Sequence, residues 1–121
     1  MDKLLFGEES ERLAAKFLRQ RGYLILARRF RTKLGEVDIV AKDKDALVFI
    51  EVRSRNSDEF GAPSESVNYK KQRHIIKSAF IYLAKHKLED VDMRFDVISV
   101  LACREFGAIK IEHIKDAFGE G

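Results

Sequence analysis

Two carboxylates stand in neighbouring strand-like runs. Asp38 lies in Gly35-Glu36-Val37-Asp38-Ile39-Val40 and Glu51 in Leu47-Val48-Phe49-Ile50-Glu51-Val52-Arg53. Between them Lys42-Asp43-Lys44-Asp45 is turn-prone. Closing it as an antiparallel hairpin makes pairing partners sum to about 88 in residue number, which brings Asp38 close to Glu51 across the ladder. Like charges facing each other in a sheet destabilise it, so the pair calls for a proton or a cation. A divalent cation gives the pair a chemical use. Mg²⁺ or Mn²⁺ held by a few carboxylates activates a water and neutralises charge on a phosphodiester. Asp38 and Glu51 are then candidate metal ligands, with the Val52 carbonyl as a third. Arg53, two residues on and on the same face as Glu51, is a cation able to orient water or stabilise developing charge.

The rest of the chain narrows the setting. At 121 residues it fits one domain, spanning 1–121, with enough length to bury a core. With 45% hydrophobic and 36% charged residues, it reads as globular with a charged surface and not as disordered. No apolar run reaches the roughly 20 residues of a transmembrane helix, and the N-terminus turns acidic without a signal-peptide layout. A single cysteine, Cys103, excludes an internal disulfide and a cysteine-based zinc site. A cytoplasmic protein is expected. The charge is segregated: Arg12, Lys16, Arg19, Arg21, Arg28, Arg29, Arg31 and Lys33 follow one another without an acid, and Lys70, Lys71, Arg73, His74 and Lys77 form a second basic cluster. Basic surface beside an acidic centre suits a phosphate-backbone binder; an ordinary solvated helix face is the plain alternative for either cluster.

Periodicity supplies the elements that must hold these residues. A first helix is expected over about Gly7 to Arg21, stopped at Gly22, with Leu13, Ala14, Phe17 and Leu18 as its apolar stripe. Glu11 lies at the edge of that stripe and can reach towards the sheet, whereas Glu8 and Glu9 complement the helix N-terminus. Strands follow at about Tyr23–Phe30, Glu36–Ala41 and Ala46–Ser54. The third is apolar on both parities and belongs mid-sheet. Asn56 to Ser66 reads as a loop. Asn68 caps a second helix over about Tyr69 to His86, with Ile76, Ala79, Phe80 and Leu83 buried and Gln72 extending their stripe. A final hairpin runs over Met93–Leu101, a turn at Arg104–Gly107, and Ala108–Ile114. Alternation of Phe95, Val97 and Leu101 with Arg94, Asp96 and Ile98 puts its first strand nearer an edge.

Gly35-Glu36-Val37-Asp38, Phe49-Ile50-Glu51-Val52-Arg53-Ser54-Arg55, Val67-Asn68-Tyr69-Lys70-Lys71-Gln72 and Arg94-Phe95-Asp96-Val97, with the opening Glu11-Arg12-Leu13-Ala14-Ala15, together resemble the YraN-like family of uncharacterised bacterial proteins. The resemblance runs from about Gly7 to Phe118. That family is similar to archaeal Holliday-junction resolvases and the restriction-endonuclease-like superfamily, whose motif is an Asp, then an acidic residue, any residue and Lys. The resemblance implies an α/β fold with a central mixed β-sheet flanked by helices, in the order α-β-β-β-α-β-β. It implies Asp38 and Glu51 as metal ligands, Glu11 as an auxiliary acid, and Lys71 and Gln72 as phosphate or site contacts. The motif's Lys position is Arg53 here. Arginine stays protonated and cannot act as a general base, although it can orient water, or bridge Asp38 and Glu51 in place of a metal.

The expected function is nucleic-acid binding, with DNA as the favoured partner, and a Mg²⁺- or Mn²⁺-dependent nuclease site of Glu11, Asp38, Glu51 and Arg53. Arg31, Lys33, Arg55, Lys70, Lys71, Gln72, Arg73 and Lys77 are the expected nucleic-acid contacts, and related resolvases make a homodimer plausible. The alternatives are a non-catalytic nucleic-acid binder whose carboxylates are paired by Arg53, Arg55 or Arg94, and a protein-interaction module retaining the fold. His74, His86 and His113 read as surface or helix-end residues, and Tyr69 as packing.

Overall fold

In the computed structural model, residues 7–56, 67–103 and 108–119 are described. Of the loop read over Asn56 to Ser66, Asn56 closes the third strand and the rest lies outside them, as does the turn over 104–107. The elements follow the expected order: α1 (Gly7–Gln20), β1 (Leu24–Thr32), β2 (Gly35–Asp43), β3 (Ala46–Asn56), α2 (Tyr69–Lys85), β4 (Asp92–Cys103) and β5 (Ala108–Phe118). The five strands form one mixed sheet in the order β1-β2-β3-β4-β5, all antiparallel except β3 with β4. The α2 crossover makes that parallel step possible, since a short turn cannot join parallel neighbours.

Each helix covers one face. On one side Ala14, Ala15 and Leu18 of α1 pack on Ile39, Ala41, Val48, Ile50, Ile98 and Val100. On the other, Ile75, Ile76, Ala79 and Tyr82 of α2 pack on Leu47, Phe49, Phe95 and Val97. The double-sided apolar pattern of β3 is thus satisfied at the sheet centre, as its residues require. Both helices close in the same way. Behind α1 the Tyr23 N–H reaches Leu18 O and the Gly22 N–H reaches Arg19 O, with Gly22 at φ +88°. Behind α2 the Leu88 N–H reaches Leu83 O and the Lys87 N–H reaches Ala84 O, with Lys87 at φ +54°. This 6→1 and 5→2 pattern needs a left-handed residue, which glycine adopts without cost and lysine does not.

Two readings are corrected. In α2 the buried side turns towards Tyr82, whose ring stands edge-on to Phe30 and Phe49, while Phe80 is 45% exposed. And His113, read as a surface or helix-end residue, is buried at 7% side-chain exposure against Asp96. As read, β4 lies nearer an edge than β3, one place in from edge strand β5. Its polar alternate, Asp96, is completely buried and is satisfied by pairing, not by solvent. Arg94 Nε and Nη2 donate to Asp96 Oδ1 and Oδ2 at 2.9 and 3.0 Å, and the Asp116 N–H donates to Oδ1 at 3.0 Å. His113 Nε2 lies 2.7 Å from Oδ2, and Arg94 reaches on to Tyr23 and Asp43. Burial alone raises an aspartate; here the hydrogen bonds from His113, Arg94 and Asp116 outweigh it and hold Asp96 below its ordinary value.

Removing Asp96 takes the bidentate partner from the half-buried Arg94, which keeps Asp43, and leaves the buried His113 and the Asp116 N–H without their acceptor. Asp96→Ala is expected to cost about 3 kcal/mol of unfolding free energy in urea titrations, the low end for breaking a buried pair because Asp43 still compensates Arg94. In the opposite direction, Lys87→Gly should stabilise by about 1 kcal/mol, seen as a melting temperature higher by a few degrees. An unchanged or lower melting temperature would show that the left-handed lysine carries no penalty.

Candidate functional site

The β2–β3 hairpin closes through a two-residue loop, with Asp43 opposite Ala46 and Ile39 opposite Ile50. The register is one step from the value read in the sequence, so the next residues outward are Asp38 and Glu51, directly opposed. The paired ladder ends just before them. Val37 and Val40 both pack on the α2 side, three positions apart, so alternation in β2 breaks around Asp38. At this opening the Val52 N–H donates to Asp38 Oδ2 at 2.7 Å.

The environment drives a proton onto Asp38. Burial, followed by the hydrogen bond with Glu51 and its charge, pushes the Asp38 carboxyl up to about 9. The Val52 N–H opposes this and Glu11 adds to it. The pair therefore keeps a proton at neutral pH.

Lys71 supplies the second compensation. Its Nζ comes to 2.7 Å of Glu51 Oε2, and the Glu51 side chain is only 4% exposed. The approach lies off hydrogen-bond angle, because Oε2 remains a buried acceptor without a donor. Local sequence puts the lysine there: Asn68 caps α2 by accepting the Lys71 N–H at 2.9 Å, which fixes the backbone of the residue whose side chain reaches the site.

From the other face α1 delivers Glu11, buried at 7% exposure. Arg29 Nε donates to both of its oxygens at 3.2 and 3.3 Å, and Arg28 Nη2 stands 3.9 Å away. Arg29 reaches on to Glu8 at 3.2 Å from a left-handed backbone, φ +54°. A hydrogen bond between Ser10 and Ser54 ties α1 to the same end of β3.

The candidates thus divide. Asp38, Glu51 and Lys71 come together, with Glu11 near enough to act on Asp38. Arg53 makes no hydrogen bond or ion pair among the described residues, so neither carboxylate is locked by it, and Arg94 is committed to Asp96, Asp43 and Tyr23. Gln72 Nε2 donates to Val67 O at 2.8 Å and secures the entry to α2. Lys70 and Lys77 are exposed, and Arg55 and Arg73 half-buried. Arg31 stands 3.7 Å from Glu36, and Lys33 is exposed in the β1–β2 turn. That turn lies against α2, where a Cβ on Gly35 would meet His74 at 3.8 Å. The partnership of Arg28 and Arg29 with Glu11 was not anticipated; their place in an acid-free run was its only sign.

Among the described residues no group of three or more His, Cys, Asp or Glu is arranged to hold a metal ion. The fit to a divalent cation rests on two carboxylates and on Glu51 Oε2, an orphaned buried acceptor of the hard-oxygen type that Mg²⁺ and Mn²⁺ prefer. No described helix is long and apolar enough to cross a membrane.

Comparison with known proteins gives the same answer throughout. Residues 10–100 match the model of the uncharacterised protein family UPF0102. The chain is similar to a UPF0102 protein of Geotalea uraniireducens, 46% identical over 97% of this chain and 91% of that one. It is also similar to one of Caldicellulosiruptor bescii, 48% identical over 93% and 95%, and to one of Thermodesulfovibrio yellowstonii, 46% identical over 98% and 99%.

The proton on the pair has a consequence for stability. Asp38 is raised in the folded state, so its contribution is present at low pH and lost as pH climbs towards about 9. Asp38→Asn keeps an acceptor for the Val52 N–H and removes the charge. The variant should exceed wild type in unfolding free energy at pH 9, with the gap narrowing at pH 5. Urea titrations at both pH values check this, and equal stability at pH 9 would mean that the pair is not strained.

Proposed function

The chain belongs to the uncharacterised protein family UPF0102, and from that premise we propose that it binds nucleic acid, DNA in the first instance, and hydrolyses phosphodiesters at Asp38 and Glu51 with Mg²⁺ or Mn²⁺. The observation that carries this is the carboxylate pair, Glu51 buried and Asp38 half-buried. A fold gains nothing by setting two acids together at a gap between strands, and groups with strongly perturbed pKa values concentrate where chemistry is done. The mixed five-stranded sheet with a helix on each face is compatible with the restriction-endonuclease-like kind, to which we assign it.

A divalent cation, when bound by Asp38 and Glu51, supplies Lewis-acid polarisation of a phosphate oxygen and lowers the pKa of a water. This chain's own residues do the rest. Lys71, with Nζ beside Glu51, supplies the mobile ammonium that a motif lysine would, and Arg53 is a cation on the strand without a partner among the described residues. In this reading Lys71 orients the attacking water or stabilises charge on the phosphate, and Arg53 can do the same but cannot act as a general base, because it keeps its proton. Glu11, held by Arg29, keeps negative potential beside Asp38. A cytoplasmic location and a homodimer belong to the same reading.

One observation favours a second reading, a non-catalytic nucleic-acid binder. The proton on Asp38 and the Lys71 ammonium on Glu51 already compensate the pair, so the carboxylates persist without a metal. Arg53 is not the compensating group.

Cleavage decides between them. Wild-type protein is expected to cut branched or single-stranded DNA in the presence of Mn²⁺ or Mg²⁺. Asp38→Ala and Glu51→Ala should each lower the rate by roughly 100-fold or more, the usual loss when a group stabilising the transition state is removed. No metal-dependent cleavage over a broad panel would overturn the enzymatic reading; salt-sensitive binding without cleavage would establish the second.

A further inference from the structure

A separate charged recess lies on the α1 side. Glu8 and Arg12 of α1 and Arg28 and Arg29 of β1 line a cavity of about 440 Å³. Three arginines from two elements line it with one carboxylate, Glu8, whose side chain is 82% exposed. Their charge is unevenly spent. Arg29 is engaged by Glu11 and Glu8. Arg28 has only the 3.9 Å approach to Glu11. Arg12 makes no hydrogen bond or ion pair among the described residues.

The recess is built and not incidental to a basic surface. Arg29 holds a left-handed backbone, a conformation that arginine rarely adopts, and its guanidinium is fixed by a buried glutamate. The same Glu11 acts electrostatically on Asp38, and Arg28 faces Ile39, the residue beside Asp38, in the β1–β2 ladder. Recess and carboxylate pair are therefore neighbours with Glu11 as the partition between them. Guanidinium forks match phosphate oxygens, and an anion on the recess side of that partition meets positive charge where one on the other side meets carboxylates.

We propose that this recess binds a backbone phosphate of the nucleic-acid strand, a different phosphate from the one presented to Asp38 and Glu51. The proposal rests on the nucleic-acid reading above, but not on catalysis. Arg12 and Arg28 make the new contacts, Arg29 is the anchored wall, and Glu8 competes with the phosphate for Arg29.

The test is fluorescence anisotropy of a labelled single-stranded DNA oligonucleotide, titrated with full-length protein in EDTA over a range of salt concentrations. Arg12→Ala and Arg28→Ala should each weaken binding about three- to tenfold. The double variant should flatten the slope of log affinity against log salt by about 0.7, the value for one phosphate contact on a single strand. Glu8→Ala should tighten binding. Arg19→Ala, which removes an equal charge from the far end of the same helix, sets the baseline for a general charge effect. If the double variant loses no more affinity or slope than Arg19→Ala, the recess is not a phosphate site, while the nucleic-acid reading survives on the wild-type binding. If wild-type protein binds no oligonucleotide, the nucleic-acid reading falls and takes this proposal with it. If binding behaves as expected but no metal-dependent cleavage occurs, only the enzymatic reading is lost.

Discussion

The molecule is organised around a charge pair that folding alone would reject. Taking one carboxylate out of water costs several kcal/mol after relaxation, and setting a second beside it adds repulsion. The structure answers with three local devices: a proton held by the pair, the Val52 N–H on Asp38, and the Lys71 ammonium on Glu51. Two of them depend on the β2–β3 pair and one on α2. The proton follows from the β2–β3 register, the N–H from the parting of those strands, and the ammonium from the capped start of α2.

Asp96 shows that burial is not what sets Asp38 apart. It is the more deeply buried of the two aspartates, yet it is held below its ordinary value whereas Asp38 is driven far above. Asp96 has a bidentate arginine, a histidine and a backbone amide; Asp38 has one backbone amide and two acidic neighbours. The first arrangement closes every acceptor and stabilises the sheet. The second leaves Glu51 Oε2 with an ammonium beside it but no hydrogen bond, which suits an exchangeable partner better than a permanent one.

Much of this was legible in the residues. The apolar run of β3 on both parities, Gly22 behind the first helix and Asn68 before the second each have one physical meaning, and the structure agrees with all three. The hairpin brought Asp38 and Glu51 together even with the register off by one, because directly opposed and nearly opposed carboxylates are equally in need of compensation. What failed did so where two patterns fit one stretch. Ile76 and Ala79 are shared by a stripe through Phe80 and Leu83 and by one through Ile75 and Tyr82, and only Phe30 and Phe49 decide in favour of Tyr82. Polar alternation in β4 rightly puts it nearer an edge, but it does not show that Asp96 is buried with His113 on it, since the donors come from β4 itself and from β5. Lys71 sits among other bases, and which one reaches Glu51 depends on the angle at which α2 crosses the sheet.

The donor that Asp38 relies on is part of the main chain. Any residue except proline supplies an N–H at position 52, so that half of the contact is indifferent to mutation there. Asp38, Glu51 and Lys71 have no such latitude, since each contact is made by a side-chain atom. Tolerance to genetic change is thus divided within a single hydrogen-bonded cluster. Position 52 is free to vary with the packing of the α1 face, while the three charged positions answer only to the site.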